Sequence, residues 1–205
     1  QFTRNHENFQ MKEVFQCDIP QLDTILILVV NGWFHSVSLQ GNQLPEGVLI
    51  GGFEAIGQSH PELVNPRYGK LADTEGDPMV ALNTALAGDG FFIYIPPGVR
   101  LEKPVQVINL LESEKNIFVS QRNMVIVEPG SRLQLVVCDH TLNLNRYFAN
   151  SVTEVFTGEN GEVDVCSVQN QHNLTGSVHS VFHHQERDSL LTTHSITLHG
   201  GMVRN

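Results

Sequence analysis

The chain has 205 residues, 40% of them apolar, and its 12 Lys and Arg residues against 22 Asp and Glu residues give a formal net charge of −10. This acidic balance argues against nucleic acid or an anionic membrane as a partner, because binding to phosphate groups needs clustered basic side chains. The longest aliphatic run has six residues, far short of the roughly 20 that a membrane-spanning helix needs.

The first part of the chain, residues 1–76, is predicted to be a small α+β region. Residues 1–20 show no clear hydrophobic period and are interpreted as a leader that orders only on packing, or as a frayed arm. A hairpin signal follows at Thr24–Leu39, where two β-rich runs flank Asn31-Gly32, a pair that accepts the positive φ angles of a type I′ turn. Gly and Pro punctuate the remainder, in which we predict only a short strand at Val48–Ile50 and a short helix near Phe53–Gly57.

A linking helix is predicted at residues 77–90. Asp77 is a favoured N-cap residue, and Pro78 suits the first helical position. Gly88 and Gly90 mark its end. The buried stripe is predicted to comprise the apolar residues at helical spacing, Met79, Leu82 and Leu86.

Residues 91–205 carry strand signals and no helix signal. The predicted strands are Phe91–Ile95, Val105–Leu110, Ile117–Ser120, Met124–Glu128, Leu133–Cys138, Val152–Thr157, Val163–Val168, Ser177–His184 and Leu191–Leu198. A turn recurs at spacings of 32 and 31 residues, at Pro97-Gly98, Pro129-Gly130 and Asn160-Gly161. This spacing is typical of stacked coils in a solenoid, although a jelly roll or a sandwich would show similar strand spacing.

Several motifs resemble one family. The segment LNTALAGDGFFIYIPPGVRLEKPVQVINL at residues 82–110 resembles the entry to the core domain of the SufD branch of the SufB/SufD family, in the SUF iron–sulfur cluster assembly system. Matching motifs follow as VCDHTL at 137–142, TEVFTGENGEVD at 153–164 and ITLHGGMVRN at 196–205, and LILVVNGWF resembles the strand and turn before the core. The resemblance covers the chain from about Leu22 to Asn205.

The resemblance implies a mainly β fold, with a right-handed parallel β-helix over residues 91–205. It also implies a scaffold that is not an enzyme by itself, pairs with a SufB-like sister protein and the SufC-like ABC ATPase, and supports cluster building and iron acquisition. The family's β-helix continues beyond Asn205 and is followed by a C-terminal domain that docks the ATPase. The coils are therefore expected to be truncated here, and no family site residue is carried onto this chain. We expect no cofactor bound by this chain alone, the cluster being handled by the assembled complex, and possible homo-oligomers through the exposed end coil.

The histidines near the end of the sequence suggest an alternative function. His179 and His183 have the same parity in a strand and would share a face. With Glu186 they could bind zinc, iron or manganese, as in a cupin-like metal-dependent enzyme that uses the His179–His199 cluster, including His194 or His199. The favoured interpretation is that they are polar positions on outward faces of an acidic scaffold, because the His-x-His pair usual in cupin metal sites is missing.

The three cysteines bear on compartment and on chemistry. Cys17, Cys138 and Cys166 are odd in number and far apart, which favours a reducing, cytoplasmic compartment over a disulfide framework. Cys138 lies two residues before His140 and could be a nucleophile or a sulfur acceptor, although a small half-buried hydrophobe is the commoner role. Cys166 is expected to be inert, because carboxylates on its strand face disfavour the thiolate.

Two further signals for chemistry are weak. The carboxylates Glu154, Glu159, Glu162 and Asp164 could indicate glycoside hydrolysis by an extracellular β-helix. With only 7% aromatic residues, a solvated acidic face is favoured instead. The segment GGFEAIG at 51–57 lacks the Lys-Ser/Thr of a phosphate-binding loop, so ATP use is expected to come from a partner.

Overall fold

The computed structural model describes residues 23–39 and 43–205. The predicted leader at residues 1–20, and Cys17 with it, lies outside the described residues. In chain order the elements are β1 Ile25–Val30, β2 Trp33–Ser38, β3 Leu49–Gly52, α1 Phe53–Ser59, α2 Pro61–Val64, α3 Pro78–Leu86, β4 Phe91–Ile95, β5 Val105–Leu111, β6 Ile117–Val127, β7 Arg132–Thr141, β8 Tyr147–Thr157, β9 Glu162–Asn170, β10 Thr175–Gln185, β11 Leu190–His199 and β12 Met202–Arg204. None of the helices described is long and apolar enough to cross a membrane.

The strands form two six-stranded sheets that face each other across one core. Their orders are β11-β9-β7-β5-β1-β2 and β12-β10-β8-β6-β4-β3. Neighbouring strands are parallel except in the pairs β1–β2 and β3–β4. From β4 onward the chain alternates between the sheets, which builds a parallel β-solenoid of about four turns. The predicted parallel β-helix is confirmed, and a jelly roll or sandwich is excluded because both are built from antiparallel neighbours.

The recurring turns lie directly on one another. Three backbone hydrogen bonds join successive turns, from Gly98 N–H to Pro129 O at 2.9 Å, from Gly130 N–H to Glu159 O at 2.9 Å and from Asn160 N–H to Arg187 O at 3.1 Å. All three donors have positive φ angles, of 75°, 69° and 55°. The repeat in the sequence is therefore one coil of the solenoid. A fourth turn of this stack, at Asp188 with φ of 56°, carries no glycine and gives no such signal in the sequence.

The core lies between the sheets and follows the alternation of the strands. In β7, Leu133 and Leu135 are buried toward the other sheet, whereas the Arg132 side chain is 39% exposed. Val163 and Val165 occupy the matching positions in β9. A slip of one residue would turn all these apolar side chains outward, so burial fixes the register.

The predicted hairpin, short strand and first short helix of the N-terminal region are confirmed, whereas the second short helix, α2 at Pro61–Val64, lies in a segment predicted to be loop. Asn31 and Gly32, with φ angles of 50° and 82°, form the turn between β1 and β2. The predicted short strand and short helix are β3 and α1. The hairpin also extends the solenoid, because β1 pairs in parallel with β5 from the first coil.

The helix α3 begins as predicted, but it ends at Leu86 rather than near residue 90 and buries a different face. The Asp77 carboxylate caps it by accepting a backbone N–H of the first turn at 2.8 Å. The predicted apolar stripe is wrong, because Leu82 and Leu86 are 38% and 39% exposed and the buried positions are Val80 and Asn83. The Asn83 side-chain amide donates to one backbone carbonyl of β6 and one of β8, at 2.9 and 3.0 Å. A polar anchor thus holds this helix on the sheet.

Two strands extend further than predicted. The strand β6 is continuous where two short strands are predicted, and β8 begins at Tyr147 rather than at Val152. The additional residues include Gln121 and Asn123, which are polar yet 5% and 2% exposed. They bond to other polar groups inside the solenoid, so their polarity does not mark a loop.

Candidate functional site in the solenoid lumen

The space between the two sheets contains a cavity of about 400 Å³. Part of its lining is apolar and includes Leu135 and Val137 of β7. Further along the strands the lining becomes polar at three residues that are in register: Asn109 in β5, Asp139 in β7 and Gln169 in β9. We call these three residues the polar column.

Hydrogen bonds join the polar column to the second sheet. Asn109 Nδ2 donates to Asp139 Oδ1 at 2.8 Å, and Gln121 Nε2 donates to Asn109 Oδ1 at 3.1 Å. Gln121 Nε2 also donates to Asn123 Oδ1 at 2.9 Å, and Asn123 Nδ2 donates to Thr153 Oγ1 at 3.0 Å. Buried polar groups are tolerated when they bond to one another, and this network makes a polar lumen compatible with the fold.

His179 extends the network from β10. It is the register partner of Ser151 in β8, and its Nδ1 lies 2.9 Å from Ser151 Oγ. Across the lumen its Nε2 lies 3.8 Å from Asp139 Oδ2. The predicted shared face of His179 and His183 is confirmed, since both line the cavity. The interpretation of these two histidines as outward surface positions is wrong.

The residues of the metal alternative are spread over the last coil. His179 and His183 are four residues apart in one extended strand, which separates their Cα atoms by about 13 Å. Burial lowers the pKa of His183 below its ordinary value of 6.5. Glu186 lies in the turn after β10, where its carboxylate accepts a backbone N–H of the preceding turn at 3.2 Å, while His194 lines the cavity and His199 ends β11. Within residues 23–39 and 43–205, no group of three or more His, Cys, Asp or Glu side chains could hold a metal ion.

The two described cysteines lie on the outward face of the first sheet. The strand β7 is unbroken through Cys138 and His140, so these side chains share that face. Cys138 is 1% exposed and packs with Ile108 in an apolar cluster, which matches the expected small hydrophobe. Burial lowers the pKa of His140. Cys166 lies on the neighbouring strand β9 and is partly exposed.

A buried ion pair corrects the interpretation of Glu154 as part of a solvated acidic face. Glu154 is 0% exposed, and its Oε2 lies 2.5 Å from Nη2 of Arg122, which is 1% exposed. The carboxylate also accepts the backbone N–H groups of Gly69, Leu71 and Ala72, at 3.0, 2.9 and 3.3 Å. The pair therefore fastens the loop before α3 to the second sheet.

The coil repeat contains a signal for this pair. Arg122 and Glu154 are 32 residues apart, close to the spacing of the stacked turns. In the register between β6 and β8, Met124 is opposite Glu154, so Arg122 is its diagonal neighbour on the same face. Aligning the sequence by coils would have placed the two charges together. The carboxylates of Glu162 and Asp164 remain accessible, with side chains 35% and 39% exposed.

Comparison with known proteins relates both parts of the chain to one family. A family model described as SufBD protein N-terminal region matches residues 1–107, and one described as SUF system FeS cluster assembly, SufBD core domain, matches residues 109–205. An iron–sulfur cluster assembly SufBD family protein of Staphylococcus aureus is 22% identical over 167 residues, which cover 78% of this chain and 36% of the relative. The chloroplastic iron–sulfur cluster assembly SufBD family protein ABCI8 of Arabidopsis thaliana is 28% identical over 121 residues, 57% of this chain and 21% of that relative.

The chain thus spans about a third of the length of the Staphylococcus aureus relative and about a fifth of the Arabidopsis thaliana relative. The two family models are adjacent and together extend from residue 1 to residue 205. The motifs that carry the resemblance at residues 82–110 fall across their junction. The chain belongs to the SufBD family.

Proposed function

We propose that this chain is the N-terminal and first core portion of a SufD-like scaffold subunit for iron–sulfur cluster assembly. The observation that carries the proposal is the adjacent match to the SufBD N-terminal and core models, over residues 1–107 and 109–205, on a parallel solenoid. The choice of the SufD branch rests on the motif at residues 82–110, which forms α3, β4 and β5 and the first stacked turn.

The solenoid is suited to a positional role. Stacked turns and the lumen network connect successive coils, so the coils form a stiff body. The strand β11 ends the first sheet of the described structure and has a neighbour there on one side only. A SufB-like sister protein of the same fold could add its own strand to such an edge, gaining backbone hydrogen bonds and apolar contact together. Held in this way, the partner's surface would support cluster building and iron acquisition.

We assign ATP hydrolysis to a partner, the SufC-like ABC ATPase. In this chain the segment at 51–57 completes β3 and forms the start of α1. The N-terminus of α1 is occupied by Asp89, whose Oδ1 accepts the backbone N–H of Glu54 at 2.9 Å. A carboxylate at this end of a helix repels a nucleotide phosphate. Docking of the ATPase is assigned to a C-terminal domain beyond residue 205.

The proposal includes no catalytic turnover by this chain and no cofactor bound by it alone, the cluster being handled by the assembled complex. Cys138, the better buried of its two described thiols, is 1% exposed in an apolar cluster. We propose that the ligands of a cluster come from the partner or from other parts of the protein. The net charge of −10 favours protein partners over nucleic acid and membranes, and the proposed compartment is the cytoplasm.

Affinity purification of the full-length protein from its own cells tests the proposal. We expect an ABC-type ATPase and a sister β-helix protein to be recovered in a fixed ratio, identified by mass spectrometry, and neither to be recovered with the tag alone. Recovery of the protein without these partners, with the tag at either end, would contradict the scaffold assignment.

We further propose that the isolated chain forms homo-oligomers through β11. This edge strand exposes Leu190, Ile196 and Leu198 at 58%, 45% and 56%, and an exposed apolar edge favours pairing. Light scattering after size-exclusion chromatography should show dimers or larger species that Ile196→Lys reduces. Leu144→Lys, at a loop position that is 76% exposed, is the matched control. A monomer with full hydrogen-exchange protection of residues 189–198 would count against this proposal.

A further inference from the structure

Several polar groups in the lumen have unused capacity for hydrogen bonds. The Asp139 carboxylate is 5% exposed and accepts one bond, from Asn109 at 2.8 Å. Its ion-pair contact is His179 at 3.8 Å, and no Lys or Arg of the described structure lies within the ion-pair distance of 4.0 Å. Gln169 is 4% exposed, and its Oε1 has no hydrogen-bond partner among the residues described. The Nε2 atom of His179 is likewise unpartnered.

These three polar side chains line the same part of the cavity. Asp139 and Gln169 are register partners on adjacent strands, which lie about 4.8 Å apart. His179 faces Asp139 from the opposite sheet, and all three residues line the 400 Å³ cavity. A buried carboxylate that accepts a single hydrogen bond, beside polar atoms that have no hydrogen-bond partner, destabilises a protein unless a ligand or water supplies the missing bonds.

We propose that the lumen binds a small primary alkylammonium ion. An ammonium group carries three N–H donors, no acceptor and a positive charge. Asp139 provides the opposite charge and one acceptor, and Gln169 Oε1 accepts a second hydrogen. His179 Nε2 accepts the third in the tautomer whose Nδ1–H donates to Ser151 Oγ, 2.9 Å away. The apolar side of the cavity, including Leu135 and Val137, would contact the alkyl chain.

The composition of the lining selects this ligand class. The cavity lining contains no Lys or Arg among the described residues and includes the carboxylate of Asp139, which favours a cation over an anion as the ligand. Burial lowers the pKa of His183, which disfavours a positive charge on that ring. The site does not depend on the proposed scaffold role, and its test needs no partner protein.

Isothermal titration calorimetry of the purified chain with n-butylammonium chloride tests the proposal. Two matched probes separate the contributions of the charge and of the N–H donors. n-Butanol has the alkyl chain without the charge, and tetramethylammonium chloride has the charge without N–H donors. We expect saturable binding of n-butylammonium that is at least about tenfold tighter than that of either probe, because charge-assisted hydrogen bonds carry the affinity. Equal binding of all three, or no binding of n-butylammonium, would overturn the proposal.

Paired variants locate the site. Asp139→Asn keeps the shape of the side chain and should weaken n-butylammonium binding by at least about tenfold. Asp164→Asn removes a carboxylate from the outward face of β9, where it lies 3.6 Å from Arg132, and should leave binding unchanged. Unchanged binding in Asp139→Asn would refute the assignment.

A crystal structure of the unmodified chain with n-butylammonium tests the same point if Asp139→Asn does not fold. The ligand nitrogen should lie within hydrogen-bonding distance of Asp139 and Gln169. Ordered water alone at the polar column, with n-butylammonium present at saturating concentration, would show that solvent satisfies these acceptors and would overturn the proposal.

Discussion

Replacing Glu154 by Gln tests whether the buried ion pair fastens the loop before α3 to the solenoid. Glu154 and Arg122 are 0% and 1% exposed, so no solvent can compensate the charge that remains on Arg122. Removing one partner of such a pair costs about 3–5 kcal/mol. The Gln side chain keeps one oxygen that can accept from the loop amides, so we expect a loss near the lower end, about 3 kcal/mol.

Urea unfolding of Glu154→Gln gives this free energy directly, and an exposed pair provides the control. Arg100 and Glu162 lie 2.8 Å apart with side chains 49% and 35% exposed, and Glu162→Gln should cost at most about 1 kcal/mol. Hydrogen exchange should show lost protection of the amides of Leu71 and Ala72 in Glu154→Gln only. The reasoning is refuted if Glu154→Gln costs no more than Glu162→Gln and the loop amides stay protected.

Two further predictions concern a close backbone contact at Gly90 and the partly buried ring of His183. A Cβ atom at Gly90 would lie 2.0 Å from the backbone oxygen of Arg122, so Gly90→Ala should lower the free energy of unfolding by about 3 kcal/mol or more. Gly57→Ala, in a helix with its nearest atom at 4.0 Å, should instead stabilise by about 0.5–1 kcal/mol, and equal effects of the two changes in urea unfolding would contradict this. Burial lowers the pKa of His183, so this ring binds a proton more readily in the unfolded state than in the folded state. The free energy of unfolding should therefore fall as the pH drops below about 6.5. His183→Gln should weaken this pH dependence and His184→Gln, at an exposed position, should not; identical pH profiles would contradict the assignment.

The strands and turns of the solenoid could be predicted because local chemistry decides them. The alternation in β7 and β9 matches one buried face, and a residue that adopts positive φ is needed at each stacked turn. Gly98 and Gly130 supplied that signal in the sequence. The turn at Asp188 gave none, because an Asp can adopt the same conformation when the coil beneath it fixes the turn.

The polar interior could not be predicted by the same rules, because they assign polar residues to the surface. Asn83, Gln121 and Asn123 are 0%, 5% and 2% exposed, and each bonds to a group one coil or one sheet away. Such partners are set by the register between coils, which local patterning does not specify. The repeat of the stacked turns was readable in the sequence, and the 32 residues between Arg122 and Glu154 follow it. Alignment by coils is therefore the step that links the sequence to these contacts.

The lumen network also separates structural polar groups from candidate functional ones. Gln121 and Asn123 bond to groups of the chain itself, at 2.9 to 3.1 Å, and the fold accounts for them. Asp139 accepts a single hydrogen bond, and Gln169 Oε1 and His179 Nε2 have no hydrogen-bond partner among the described residues. A stiff solenoid can tolerate this cost because about four coils share one core. Polar atoms without partners persist in a buried site when a ligand or water bonds to them. The titration with n-butylammonium distinguishes a ligand from water in that role.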